Sequence, residues 1–91
     1  MKHNSYFNGR VQSLGLNTTK GYATIGVIDP GKYTFSTESE EHMTVISGIL
    51  NVKLPDGNWH EFAERESFII PPKKSFEVET KNPAGYICYY K

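Results

Sequence analysis

The sequence predicts an all-β domain, and three observations carry this prediction. Val, Ile, Thr, Phe, Tyr and Trp make up 31 of the 91 residues, whereas Leu and Ala together contribute only 7. Branched and aromatic side chains suit a pleated sheet, while Ala and Leu favour helices. Turn-forming residues recur at roughly 8–12-residue intervals between apolar stretches, a spacing typical of sandwiches and barrels. No stretch has a convincing helical period, so almost no helix is expected.

The first half of the chain is predicted to begin with a short polar arm at about residues 1–8. The strands predicted after it cover 10–14, 22–28 and 32–37, followed by two strands within 43–54 that Gly48 separates. Asp29-Pro30-Gly31 predicts a turn before the third of these strands, because Pro presets φ and Gly accepts a positive φ.

The second half opens with another strong turn signal, Pro55-Asp56-Gly57-Asn58. Its predicted strands are 59–62, 67–70, 75–80 and 86–90. No linker or repeat interrupts the pattern, so residues 1–91 are predicted to form one domain. A domain of this size buries only about 60–65% of its unfolded surface, so its stability margin is thin. With no second domain, we expect any pocket to lie inside the core or between subunits.

Charge and cysteine content exclude several classes of function. Lys plus Arg and Asp plus Glu both number 10, which argues against a nucleic-acid binder or a polybasic membrane anchor. The single Cys can form neither an internal disulfide nor a Cys-rich zinc site. No apolar run approaches the roughly 18 residues of a membrane span or resembles a signal-peptide core. We therefore expect a cytoplasmic protein.

Two segments carry motif-like spacing. The stretch from Gly31 to Gly48 resembles the first motif of the cupin superfamily, in which a Glu precedes a Gly by seven residues, as Glu41 precedes Gly48. Residues 65–79 are similar to the second cupin motif, with Pro71 at its proline position. The resemblance implies a cupin barrel, the RmlC-like jelly roll.

The metal ligands of that superfamily are missing from this chain. Phe35 and Thr37 occupy the paired His positions of the first motif, Phe76 occupies the His position of the second, and Arg65 replaces a Gly. His42 has the wrong parity to compensate, since neighbouring strand residues point to opposite faces. We expect no metal, and this counts against a metal-dependent cupin oxygenase or isomerase.

A closer resemblance covers nearly the whole chain. It is carried by Tyr6-Phe7-x-Gly-x-Val, Tyr33-Thr-Phe-Ser-Thr, Glu41-x-Met-Thr-Val-Ile-Ser-Gly and Tyr86-x-Cys-x-Tyr. These motifs resemble the small cupin-type pyrimidine/purine nucleoside phosphorylases. The resemblance implies phosphorolysis of several ribonucleosides to a free base and ribose 1-phosphate. It implies no cofactor, with inorganic phosphate as the co-substrate.

Strand parity indicates which side chains meet inside the barrel. If Glu41 points inward, alternate residues of its own strand and of the neighbouring strands do so too. The predicted substrate-binding residues are Tyr33, Phe35, Thr37, Met43, Phe76, Tyr86 and Tyr90. Aromatic walls with few polar groups suit a ligand pocket. Stacking would tolerate many bases, because every base has a π-face.

Glu41 is the predicted catalytic residue, because a carboxylate can stabilise the oxocarbenium-like state of glycosidic cleavage. The cations that could hold phosphate are Arg10, Lys53, Arg65, Lys73 and Lys74, and an Arg offers phosphate a bidentate fork. Arg10 is the predicted phosphate-binding residue, because it lies in the N-terminal motif that resembles the family. A Tyr hydroxyl could give the departing base a proton. We also expect a homodimer in which the arm or an edge strand crosses to a second copy, because Tyr6 and Phe7 lack an evident partner.

Structural roles compete with each of these interpretations. Glu41 could instead hydrogen-bond the hairpin corner, and Tyr33 and Phe35 could simply fill the core. Cys88 fits a buried apolar position, where free Cys usually lies. The alternative function is a non-catalytic small-molecule-binding cupin, since this fold hosts many functions.

Overall fold

The computed structural model of the protein describes residues 1–91 as ten β-strands without a helix. The strands are β1 (Lys2–Tyr6), β2 (Val11–Thr18), β3 (Gly21–Ile28), β4 (Gly31–Ser36), β5 (Glu41–Ser47), β6 (Leu50–Lys53), β7 (Trp59–Phe62), β8 (Ser67–Ile70), β9 (Ser75–Thr80) and β10 (Ala84–Tyr90). The all-β prediction is thereby confirmed. Since the structure contains only strands, it has no candidate for a membrane-spanning helix. The cytoplasmic location stays a prediction.

Two antiparallel sheets enclose the interior. One has six strands in the order β1-β2-β3-β10-β5-β8, and the other has four in the order β4-β9-β6-β7. Alternation along each strand directs one face inward: in β9, Phe76, Val78 and Thr80 are buried while their neighbours are more exposed. A cluster of 14 buried residues from both sheets forms the core. In both sheets most hydrogen-bonded neighbours are strands that do not follow each other along the chain, as in a jelly-roll barrel.

The N-terminal segment differs from the predicted arm. Lys2–Tyr6 pairs antiparallel with β2, in register from Lys2 opposite Gly15 to Tyr6 opposite Val11. The aromatic side chain of Phe7 also has partners, because its ring lies 5.0 Å from that of Tyr33. Polar side chains are tolerated on this strand because it is the edge of its sheet. The segment is therefore a strand of the same barrel and not a free arm.

Three residues of the cupin-like motifs lie at turns and have a positive φ angle. Gly31 and Gly48 have φ of 151° and 86°, and a Cβ on Gly48 would approach that of Ala84 to 3.0 Å. Arg65, at the position where the cupin motif carries a Gly, has φ of 74°. The chain therefore retains the left-handed turn with a non-Gly residue, a conformation that costs about 1–2 kcal/mol. Its N–H donates to the carbonyl of Val45 at 2.8 Å, which ties the turn to β5.

Candidate functional site

A cavity of about 560 Å³ opens between the two sheets. Strands β1, β2, β3, β4, β5, β9 and β10 contribute to its wall, together with the turn after β1 and the loop after β4. Six aromatic side chains line it: Tyr6, Phe7, Phe35, Phe76, Tyr86 and Tyr90. Its volume lies in the range of pockets for small organic ligands. The arrangement suits a flat, aromatic ligand.

Three rings form one wall of this cavity. Phe35 and Phe76, which are cross-strand partners, stack with centroids 5.6 Å apart and planes at 29°. Phe7 meets Phe35 edge-on at 5.6 Å and 85°. The backbone of Phe7 has φ of 54°, an uncommon value for a bulky residue, and this left-handed turn brings the ring onto the wall. Strain of this kind is often found at ligand clamps.

Glu41 is the half-buried carboxylate of the cavity. It starts β5, which is hydrogen-bonded to β10 on one side and to β8 on the other. The thiol of Cys88 donates to its Oε1 at 3.5 Å, and its side chain makes no hydrogen bond with the hairpin corner. Burial raises the pKa of the Glu41 carboxyl, and the hydrogen bond from Cys88 opposes part of this rise. The contacts therefore favour a group directed at the cavity over a structural corner.

Tyr86 owes its position to a glycine on the neighbouring strand. Gly26 is the cross-strand partner of both Ser13 and Tyr86. A Cβ on Gly26 would overlap the Tyr86 ring, so only Gly allows this close approach. Burial is the main reason that the pKa of Tyr86 is raised to about 12. The phenol is therefore protonated at neutral pH and can serve as a hydrogen-bond donor.

Two further groups on β10 complete the polar set. The hydroxyl of Tyr90 lies 2.9 Å from that of Thr24 on β3. Burial is the first cause of the raised pKa of both Tyr90 and Cys88, and the nearby Glu41 charge adds to it. The Cys88 thiol is therefore neutral, which does not suit a nucleophile. It acts here as a weak donor to Glu41.

Six of the predicted site residues come together in the cavity: Phe35, Glu41, Met43, Phe76, Tyr86 and Tyr90. Three others lie outside its lining. Tyr33 is buried in the core and its hydroxyl donates to the carbonyl of Asp29 at 2.7 Å. Thr37 donates to the carbonyl of Pro71 at 2.7 Å. Both side chains therefore have structural hydrogen bonds.

Arg10 also lies outside the lining of the cavity. Its Nη2 donates to the carbonyl of Pro30 at 2.6 Å, and its guanidinium lies 5.7 Å from the centroid of the Tyr33 ring. Tyr33 in turn contacts Phe7, so one aromatic ring separates the guanidinium from the cavity wall. No Lys, Arg or His is among the residues that line the cavity.

Several lining residues were not predicted from the sequence. Tyr6 and Phe7 were assigned to the arm, although an aromatic pair in a polar segment is itself a signal of a buried partner. Glu38, in the loop after β4, places a second carboxylate at the exposed rim. Four hydroxyl side chains also line the cavity: Ser13, Thr34, Ser36 and Ser39. Their distribution over β2, β4 and a loop follows no local sequence pattern.

The donor set does not fit the metal site that many cupins carry. Phe35 and Phe76 form wall where imidazoles would be needed. No three side chains of His, Cys, Asp or Glu come together anywhere in the structure. A carbon ring cannot replace a nitrogen ligand of a first-row metal. The mechanism proposed for this protein therefore assigns no step to a metal.

The two sheets and the aromatic cavity between them define a cupin-type β-barrel. An RmlC-like cupin from Shewanella frigidimarina superposes with a TM-score of 0.75 at 15% identity, over 96% of this chain and 79% of that chain. This likeness concerns the fold alone.

The family is shown by closer comparisons. The model of the pyrimidine/purine nucleoside phosphorylase family matches residues 1–90, and the chain belongs to this family. A Magnetococcus marinus protein named pyrimidine/purine nucleoside phosphorylase is 46% identical over 92 residues, covering 99% of this chain and 98% of its own. A Vibrio parahaemolyticus crystal structure, described as of unknown function, has a TM-score of 0.94 at 42% identity, over 99% and 97% of the two chains.

The partly buried Glu41 predicts a pH-dependent gain in stability on substitution. The pKa of Glu41 is raised in the folded state, so the protonated carboxyl stabilises the fold below the unfolded pKa of about 4.5. As the pH rises through the folded pKa, the carboxyl becomes charged and this stability is lost. Glu41→Gln should therefore raise the melting temperature at pH 7.5 by about 2–4 °C and have little effect at pH 4. Calorimetry at both pH values measures this.

Glu61→Gln is the matched control, since Glu61 is exposed on β7 and does not line the cavity. Its melting temperature should follow that of the wild type at both pH values. A lower melting temperature of Glu41→Gln at pH 7.5 would instead support the structural corner role.

Proposed function

We propose that the protein is a nucleoside phosphorylase of broad base specificity. It cleaves purine and pyrimidine ribonucleosides with inorganic phosphate to a free base and ribose 1-phosphate. The observation that carries this proposal is the position of Glu41 inside an aromatic cavity of a chain that belongs to the phosphorylase family.

The aromatic wall would bind the base. Phe35 and Phe76 are already stacked on each other, and Phe7 closes over the edge of Phe35. Stacking on such rings contributes about 1–3 kcal/mol per base and depends little on base identity. Met43, Tyr86 and Tyr90 extend the apolar and hydroxyl surface around it. Broad base specificity follows because recognition of the base edge is not required for affinity.

Glu41 would stabilise the ribose in the transition state. As the bond between C1′ and the base nitrogen breaks, positive charge develops on C1′ and the ring oxygen. A carboxylate in a partly desolvated site interacts with this charge more strongly than it would in water. The departing base takes the electron pair of the broken bond and then a proton, which the hydrogen phosphate releases as one of its oxygens forms the new bond to C1′. Tyr86 and Tyr90 would donate hydrogen bonds to the base as it leaves.

Phosphate would be held by neutral donors at the rim, with Arg10 as the nearby cation. Thr34, Ser36 and Ser39 line the cavity with hydroxyls that can donate to an anion. The recorded hydrogen bond of Arg10 uses one of its guanidinium nitrogens, which leaves further donors in the fork. Arg10 reaches phosphate in this proposal only if the turn that carries Phe7 shifts on binding.

One observation favours the second candidate, a non-catalytic small-molecule-binding cupin. The cavity lining contains two carboxylates and no cation, which is unusual for a site that must hold phosphate. Phosphate-dependent release of base from uridine or inosine separates the two functions.

The catalytic role of Glu41 predicts a loss of rate that is separate from stability. Glu41→Gln keeps the shape of the side chain and removes its charge, so turnover of inosine and uridine should fall about a hundredfold or more. Base release in the presence of phosphate is measured per folded molecule, with folding checked on the same preparation. Lys73→Ala is the control, since Lys73 is exposed, does not line the cavity, and should leave turnover nearly unchanged. Wild-type rates in Glu41→Gln would contradict the proposal and direct attention to the tyrosines of β10.

A proposal of metal-independent catalysis accompanies this mechanism. The side chains at the three motif positions, Phe35, Thr37 and Phe76, offer no nitrogen donor. Phosphorolysis should therefore proceed at an unchanged rate after exhaustive chelation. Loss of activity that zinc, manganese or iron restores would contradict this expectation.

We further propose a homodimer. The edge strand β1 pairs with β2 of its own chain, and Leu14, Ile25 and Val27 expose 45%, 46% and 61% of their surface on the outer face of β2 and β3. Burying this apolar strip against a second copy removes it from water. Light scattering at micromolar concentration should give twice the mass of 10.3 kDa. Ile25→Asp should shift the protein toward the monomer, and a monomeric wild type would refute the dimer.

A further inference from the structure

The charges that line the cavity have one sign. Glu41 lies half-buried inside, Glu38 lies at the exposed rim, and no Lys, Arg or His is among the lining residues. The chain as a whole is neutral, with 10 basic and 10 acidic residues, so the bias is local to this cavity. A cavity with this distribution of charge attracts cations and disfavours anions.

The walls add a second, independent preference of the same sign. Phe7, Phe35 and Phe76 present aromatic faces and edges around one space, and Tyr86 and Tyr90 face it from β10. The face of an aromatic ring is negative and attracts a cation, more strongly where water is excluded. Rings arranged around a cavity are the usual means of binding a cation whose charge is spread over an organic group.

We propose that the cavity selects ribonucleosides whose base carries a fixed positive charge, such as N-alkylated pyridinium rings. The proposal rests on the proposed phosphorylase function and names a substrate class for the same site. The cationic ring would pack against the aromatic wall at Phe7 and Phe35, with Glu41 and Glu38 as counter-charges. Neutral purine and pyrimidine ribosides would still bind by stacking, but more weakly.

The chemistry of cleavage agrees with this choice of substrate. A phosphate oxygen forms a bond to C1′ while the bond from C1′ to the ring nitrogen breaks. Both electrons pass to that nitrogen, so the positively charged ring leaves as a neutral base without taking up a proton. The proton of the attacking hydrogen phosphate passes to buffer. Such a leaving group needs no acid, whereas Tyr86, with a pKa raised to about 12, is a weak acid for a neutral base.

The ionisation of Glu41 gives a further reason. Burial raises the pKa of its carboxyl, so the charged form is under-solvated in the empty site. A cation brought beside it replaces the missing solvation, whereas a neutral base does not. The gain in affinity is therefore specific to charge and not to size.

Binding without phosphate tests the inference directly. The probes are nicotinamide riboside, whose pyridinium ring is cationic, and its dihydro form, which is neutral and of nearly the same shape. Calorimetric titration of the wild-type protein at pH 7.5 should give a dissociation constant at least about tenfold lower for the cation. Equal affinity of the two probes, or tighter binding of the neutral one, would overturn the proposal.

Three Glu→Gln variants test whether the preference for the cationic probe comes from the carboxylates of the cavity. Glu41→Gln should reduce the ratio of the two affinities by about fivefold or more, and Glu38→Gln should reduce it to a smaller extent because the rim is exposed to solvent. Glu61→Gln changes the net charge equally but lies outside the cavity, so its ratio should equal that of the wild type. A ratio that falls equally in all three variants would show a general charge effect and refute the assignment.

Phosphorolysis is measured as a separate arm. Release of nicotinamide from nicotinamide riboside and of hypoxanthine from inosine is followed with and without phosphate. If neither base is released while the cation binds tightly, the proposed function is wrong and the cation site stands. If both are released but the two probes bind equally, the function stands and the cation preference is wrong. Rates alone do not decide, because a cationic leaving group also departs more readily in solution.

Discussion

The two-residue period of β5 determines which chemistry reaches the interior. Glu41, Met43 and Val45 face inward because β5 is held in register by β10 on one side and β8 on the other. A shift of one residue would send Glu41 outward and bring His42 in, since a one-residue slip exchanges the faces of a strand. The register with β10 pairs Glu41 with Tyr90 and Met43 with Cys88, which leaves Cys88 diagonal to Glu41 and within 3.5 Å of its Oε1. The backbone N–H of Arg65 donates to the carbonyl of Val45, so the turn before β8 also holds β5 in place.

The barrel holds this carboxylate at a cost in stability that a small domain can ill tolerate. The half-buried Glu41 has one weak donor, the Cys88 thiol at 3.5 Å, and no cation among its cavity neighbours. A neutral side chain would pack there more favourably, and a domain of this size has little stability in reserve. An unpaired carboxylate in such a place fits the catalytic role proposed for Glu41, because interactions used in the transition state are left unsatisfied in its absence.

Local signals explain which parts of the fold could be predicted from the sequence. The strands at 59–62, 67–70 and 75–80 have the predicted bounds, because turn residues flank each of them. The strand at Lys2–Tyr6 was missed because it is polar and owes its conformation to pairing with β2. Parity correctly turned Tyr33 and Thr37 inward, but it does not reveal where an interior is filled and where it is hollow. That division depends on long-range packing, such as Phe7 folding onto Tyr33 and Phe35.

The proposed reaction makes two opposite electrostatic demands on the same cavity. Under the proposed function, cleavage would create positive charge on the ribose, which Glu41 would stabilise, yet it would consume an anion, which Glu41 and Glu38 would repel. In that proposal the hydroxyls of Thr34, Ser36 and Ser39 would reconcile these demands, because they can donate to an anion without adding a positive charge that would oppose the sugar. In the same proposal, an anion that enters after the nucleoside would meet a cavity in which the carboxylates already face a partner. The charge of the bound nucleoside therefore affects the phosphate as well as the base, and a cationic ring would offset the repulsion that a neutral base leaves in place.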